Sequence, residues 1–131
     1  MPTFQFRGKT YNTPVELALD ILGGKYKMPI LWRLKDKVWR YGELKKSIGG
    51  VTHKMLTEQL RQLEEDGLIT RKVYPEVPPK VEYSMTEKGR KAVIVIEYLR
   101  NFGEDFRAGF IPPTTVSVSY THLTLPTKRI V

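Results

Sequence analysis

Lys54, Thr57 and Arg61 follow one another at three- and four-residue spacing in the run THKMLTEQLRQLEEDG, residues 52–67. On a helix that spacing places an ammonium, a hydroxyl and a guanidinium on one face. Such a set donates hydrogen bonds to phosphate oxygens and to the acceptor-rich edges of bases. Leu56, Leu60 and Leu63 recur on the other side and must face a core, so the polar face is held outward. Thr52 is positioned to cap the N-terminus, where unpaired N–H groups and the helix dipole favour an anion. The acids Glu64, Glu65 and Asp66 gather at the far end. Glu58 stays open between two roles, accepting from a cytosine amino group or pairing with Arg61 or Lys54.

The flanking residues predict what positions this helix. YGELKKSI, residues 41–48, is a short helix, and Gly49-Gly50 is a tight turn into the longer one. LITRKVY and KVEYSMT alternate as strands, with Val81, Tyr83 and Met85 on one face. The loop Pro75-Glu76-Val77-Pro78-Pro79 is stiff and projects a wing flanked by Arg71, Lys72 and Lys80. Helix, turn, helix and hairpin in this order predict a winged helix-turn-helix, mainly α with a small β-hairpin wing (α+β). Its second helix, 52–66, suits a DNA major groove, and its wing, 71–80, suits the flanking backbone.

Residues 1–12 lack a helical period and are expected to be an arm that packs against a partner subunit. Thr13-Pro14-Val15-Glu16 opens a helix as a capping box, with Val15, Ala18, Leu19 and Leu22 as its apolar face and Gly23-Gly24 as its end. A second helix over about 25–35 holds Pro29 in its first turn and buries Ile30, Leu31 and Leu34. Trp39 and Arg40 form a short extended link. Thr86 caps a long helix reaching about residue 110. Its apolar residues Ala92, Val93, Val95, Ile96, Leu99, Phe102, Phe106 and Phe110 are broader than one stripe. A terminal helix of that kind buries part of its surface against another subunit, which assigns Val95, Ile96, Leu99, Phe102 and Phe106 to a dimer interface. Pro112-Pro113 ends it, so that 13–113 form one domain. Residues 114–131 are expected to be a flexible tail. From Ser119 the tail has the character of a translated adapter rather than native sequence, the alternative being a genuine flexible terminus.

Composition narrows the functions. The 131 residues are 40% apolar and 27% charged, with a formal net charge of +8, which directs attention to an anionic partner and to nucleic acid first. The tail contributes only Lys128 and Arg129 to that balance. There is no cysteine, hence no disulfide, thiolate metal site or thiol switch. No apolar run is long enough to span a membrane and no signal peptide opens the chain, so a cytoplasmic protein with no membrane partner is expected. No paired-carboxylate motif, Gly-rich phosphate loop or His pair is present, so no enzyme, cofactor or metal is expected. His53, one of two histidines, suits packing or a phosphate better than catalysis. Tyr26, Trp32, Trp39 and Tyr41 are expected in the core rather than around an effector.

The runs VELALDILGGKYKMPILWRL and RYGELKKSIGGVTHKMLTEQLRQLEEDGLITRKVYPEVPPKVEYSMTEKG together resemble the HxlR-type winged helix-turn-helix transcriptional regulators of the MarR-like superfamily, over about residues 13–110. The resemblance implies a homodimer built by the terminal helices, binding double-stranded operator DNA of pseudo-palindromic sequence, as a repressor. Thr52, His53, Lys54, Thr57 and Arg61 match the recognition helix. Arg71, Lys72 and Lys80 match the wing, and Arg40, Lys45 and Lys46 match the region beside the phosphate backbone. Two departures stand out. Thr13 occupies the place of a cysteine that senses oxidants or electrophiles in some members, so that mechanism does not carry over and any effector has to act by binding. Tyr26 replaces the usual Trp. The competing expectation is a winged-helix protein-interaction module, in which the last helix binds a different protein.

Overall fold

In a computed structural model, which describes residues 2–109, the order of elements is β1 (Phe4–Phe6), β2 (Lys9–Tyr11), α1 (Pro14–Leu22), α2 (Lys27–Leu34), β3 (Trp39–Arg40), α3 (Tyr41–Ile48), α4 (His53–Glu65), β4 (Ile69–Tyr74), β5 (Lys80–Met85) and α5 (Glu87–Ala108). The chain divides into two compact units after Ile96, within α5. Phe110, Pro112-Pro113 and the expected tail lie outside the described residues.

The core of the first unit forms where the helical and strand periods converge. Ile30 and Leu31 from α2, Leu44 from α3, Leu56, Leu60 and Leu63 from α4, and Ile69 from β4 are all below 2% exposed. Each such side chain contributes about 1.5–3 kcal/mol relative to exposure. Pro29 lies in the first turn of α2, where its missing N–H costs no helical bond. Tyr26 is buried, and Trp32, Trp39 and Tyr41 pack against the same core, as expected of these aromatics. The Trp39 indole N–H donates to the Arg33 carbonyl at 3.0 Å.

Trp39 and Arg40 are more than a link. They pair antiparallel with β5, giving a three-stranded sheet of order β3-β5-β4. The register sets Ile69 opposite Met85, Arg71 opposite Tyr83 and Lys72 opposite Glu82. Thr86 closes the junction with α5: its hydroxyl donates to the Gly67 carbonyl at 2.6 Å and accepts from the Gly89 N–H at 3.0 Å.

Three expectations are revised by the fold. The arm expected over residues 1–12 contains an antiparallel hairpin, β1 and β2 about Arg7-Gly8, secured to its own chain. Tyr11 is buried and its hydroxyl donates to Asp20 at 2.6 Å, while Arg7 reaches Asp66 at 2.5 Å. The Tyr11 hydrogen bond, with the Lys9 ammonium at 3.2 Å, holds the Asp20 carboxyl below its ordinary range. Second, the apolar face assigned to α1 is mostly outside. Leu22 is buried, but Ala18 is exposed, and Val15 and Leu19 are 66% and 62% exposed, because Leu17 and Ile21 supply the inward side. The Thr13 cap holds, accepting from Glu16 N–H at 3.2 Å, but Glu16 returns its bond to Asn12 N–H at 2.7 Å rather than to the cap residue. Third, Ile96 is 4% exposed and belongs with Ala92 to the core of its own chain. A side chain already buried has almost no surface left for a partner, so Ile96 leaves the expected interface set.

Candidate nucleic-acid interface

Gly49 and Gly50 end α3 with φ of +67° and +72°, a left-handed pair that glycine adopts without strain. Val51 then plugs into the core at 5% exposed, and Thr52 caps α4 by accepting from Met55 N–H at 3.1 Å. The turn and cap fix the direction of α4. Its three buried leucines fix its rotation, so Lys54, Thr57, Glu58 and Arg61 are exposed together.

These residues are not equally available. Arg61 bonds Glu58 and, at 2.7 Å, Glu65, and the two acids raise its guanidinium further above its ordinary range, the hydrogen bond to Glu65 being the largest single cause. Glu58 also accepts from Gln62 at 3.1 Å, and the two donors hold its carboxyl below the ordinary value. Of the two roles open to Glu58, pairing with Arg61 is the one present. Lys54 has no ion pair among the described residues, so its ammonium needs no release before it meets an anion. His53 is exposed and its Nδ1 lies 2.5 Å from the Tyr41 hydroxyl, with the rings edge to face. This contact braces the first turn of α4 against the first turn of α3.

The other cations fall into two groups. Lys45 and Lys46 are exposed in the last turn of α3. That end is tied to α2 by Arg33, which donates to the Ser47 hydroxyl at 2.7 Å and to its carbonyl at 3.3 Å. In the sheet, Arg40 and Lys72 both lie opposite Glu82, and Lys80 pairs with Tyr74, so these three cations share one face. Lys72 and Lys80 lie over the Tyr74 ring at 4.8 and 4.3 Å. Arg71 is on the opposite face beside Tyr83, whose phenol is raised by burial, an effect the guanidinium partly opposes. The fold therefore brings Arg40 to the wing lysines and separates Arg71 from them.

Two residues on this surface escaped the sequence reading. Met55 is 40% exposed on α4 beside Lys54, and Lys25 joins both around a recess of about 430 Å³. Met55 does carry a signal, since it stands off the stripe of Leu56, Leu60 and Leu63. Lys25 carries none beyond its charge, because only the tertiary contact of the α1–α2 loop with α4 brings it there.

Among known proteins, the model of the HxlR-like helix-turn-helix family matches residues 21–109. The uncharacterized HTH-type transcriptional regulator YdeP of Bacillus subtilis is 50% identical over 94 residues, 72% of this chain and 73% of its own. The uncharacterized HTH-type transcriptional regulator BH0655 of Halalkalibacterium halodurans is 45% identical over 107 residues, 79% of this chain and 95% of its own. The redox regulator HypR in its reduced form superposes with a TM-score of 0.69 at 43% identity, over 72% of this chain and 94% of that one. Together with the helix-turn-helix, wing and outward polar face, these matches place the chain in the HxlR-like helix-turn-helix family, as a winged-helix, DNA-binding transcriptional regulator.

Proposed function

We propose that the protein is a homodimeric repressor that occupies a pseudo-palindromic operator, with one α4 in each of two successive major grooves. The observation that carries this reading is the division of α4 into a fully buried leucine side and an exposed side holding Thr57 and a Lys54 with no ion pair among the described residues. Thr52, Lys54, Thr57 and Arg61 select bases. Met55 offers an apolar contact of the kind that thymine methyl groups accept. His53, Arg40, Lys45, Lys46, Arg71, Lys72 and Lys80 meet phosphates, which supply most of the affinity and its salt dependence. No catalytic role is proposed, and no helix among the described residues is long and apolar enough to cross a membrane, in keeping with a cytoplasmic site of action. HypR is named a redox regulator; this chain has no cysteine through which a thiol switch could operate.

Dimerisation is supported by α5. Ile94, Val95, Tyr98, Leu99, Phe102 and Phe106 are exposed along one broad side of that helix, 45–72% in each case, while Gly89, Ala92 and Ile96 take the side used by the core. Exposed Val15 and Leu19 on α1 supply further apolar surface. Two copies associating through these helices would space the recognition helices for half-sites about 10 base pairs apart.

Selection of genomic fragments by the purified protein, with random DNA as competitor at near-physiological salt, tests the whole reading. Enrichment of an inverted repeat with half-sites about one turn apart is expected. Salt-sensitive binding without enrichment would reject it and favour a protein-binding role for α5. On the enriched site, Lys54→Ala or Arg61→Ala is expected to cost about 1–3 kcal/mol while leaving random DNA much less affected. Equal losses on both would restrict these residues to phosphate. Arg71→Ala or Lys80→Ala is expected to weaken both DNAs alike and to reduce the salt slope by about 0.9 for each phosphate no longer neutralised. An unchanged slope would remove that residue from the backbone-binding set.

A further inference from the structure

The cavity between the N-terminal hairpin, α1 and the last turn of α4 belongs to none of the surfaces above. Its volume is about 230 Å³. Five of its lining residues precede residue 21, where the match to the family model begins. Its two acids are committed: Asp20 to the Tyr11 hydroxyl and Lys9, Asp66 to Arg7. Lys27 is different. It lines the same cavity, is 5% exposed, and makes no hydrogen bond or ion pair with the described residues.

Asp20 feels the Lys27 charge, which helps to lower its carboxyl, but no hydrogen bond joins the two, and an ammonium this buried gains from an anion that meets it directly. Among the lining residues Arg7, Lys9 and Lys27 outnumber Asp20 and Asp66 beside the apolar wall of Phe6, Tyr11 and Ile21; Arg7 also meets Glu65 at 3.8 Å, outside the lining, so the charge left for a ligand is that of Lys27. The volume corresponds to about eight waters at liquid density, or roughly ten heavy atoms of an organic molecule. We propose that this cavity binds a small organic carboxylate, its charge on Lys27 and its apolar body against Phe6, Tyr11 and Ile21. A simple inorganic anion would satisfy Lys27 but leave that wall wet.

The position suits an effector. Asp20 and Ile21 belong to α1, whose other side carries exposed Val15 and Leu19, whereas Gln62 and Asp66 belong to the end of the recognition helix. A ligand here touches α1, which adds apolar surface to the proposed dimer face, and the helix proposed to select bases. It changes operator affinity to the extent that it prefers one arrangement of the two. This regulatory consequence rests on the operator reading above; the binding site itself does not.

The test is an NMR titration of the full chain with 3-phenylpropanoate and with its neutral isostere, 3-phenylpropanamide. Saturable shifts of the Phe6, Tyr11, Ile21 and Gln62 amides are expected with the carboxylate and not with the amide. Lys27→Met should weaken the carboxylate about tenfold or more, the usual scale for losing a charged hydrogen-bond partner. Absent shifts, shifts confined to other surfaces, or equal response to the amide would overturn the site. The mapping on the unaltered chain stands even where Lys27→Met fails to fold. Operator affinity is then measured with the site saturated: a change supports the effector role, and no change rejects it while leaving the site intact. Failure of the operator reading is seen separately, as lack of an enriched repeat.

Discussion

Gly89→Ala is expected to destabilise the protein by about 3 kcal/mol, moving its urea midpoint down by roughly 1–2 M. A Cβ at this position would lie 2.2 Å from the Leu68 carbonyl oxygen and 2.9 Å from Met85 Cγ. The methionine can turn aside. The carbonyl belongs to the backbone between α4 and β4, so α5 has to move away from the sheet. That movement opens the packing of Ala92 and Ile96 and strains the Thr86 hydroxyl bridge between Gly67 and Gly89. Alanine is favoured over glycine in a helix by about 1 kcal/mol, which reduces the loss without cancelling it. Gly103→Ala is the control. It lies in the same helix with no atom of the described residues within 4 Å of its added Cβ, and should stabilise by roughly 0.5–1 kcal/mol. Equal midpoints for Gly89→Ala and the parent chain would show that the approach to Leu68 relaxes freely.

The second large effect concerns assembly. Leu99→Asp combined with Phe102→Asp should convert the proposed dimer to a monomer at micromolar concentration and lower operator affinity about 100-fold or more, because the second half-site is no longer held at high effective concentration. Leu99 and Phe102 are 47% and 69% exposed, and Phe102 stacks on Phe106 with ring centroids 6.0 Å apart. Charges placed there remain in water when the chain is alone, so helicity and non-specific DNA binding should persist. Sedimentation velocity decides the matter. A double variant that stays dimeric removes this face from the interface, whatever happens to DNA binding. Ile96→Asp would be a poor substitute, since its side chain is part of the first unit's core and its loss confounds assembly with folding.

These predictions draw on features of different legibility. The α4 leucines, the Gly49-Gly50 turn, the Thr52 and Thr86 caps and the strand alternation were all readable, because each depends on spacing within a few residues. The wing was legible as an element with Arg71, Lys72 and Lys80 beside it, but the separation of Arg71 from the two lysines follows from the register of β4 on β5. That Arg40 joins the lysines was not, because it depends on β3 pairing with β5 across some forty intervening residues. The hairpin of residues 4–11 was missed since its two strands are only three residues each and its turn is Arg-Gly rather than the stronger Asn-Gly signal.

The sequence by itself determined the winged helix-turn-helix order, the outward face of α4 and the membership of a DNA-binding family, since periodicity specifies where side chains stand along one element. Only the tertiary structure decided which of several apolar faces is buried, leaving Val15 and Leu19 outside and drawing Ile96 in, and which acids neutralise Arg61 and which stop short of a direct bond to Lys27. The reason is physical. Burial and ion pairing depend on the volume and charge that distant elements bring to a point in space, and periodicity along one helix does not encode its neighbours.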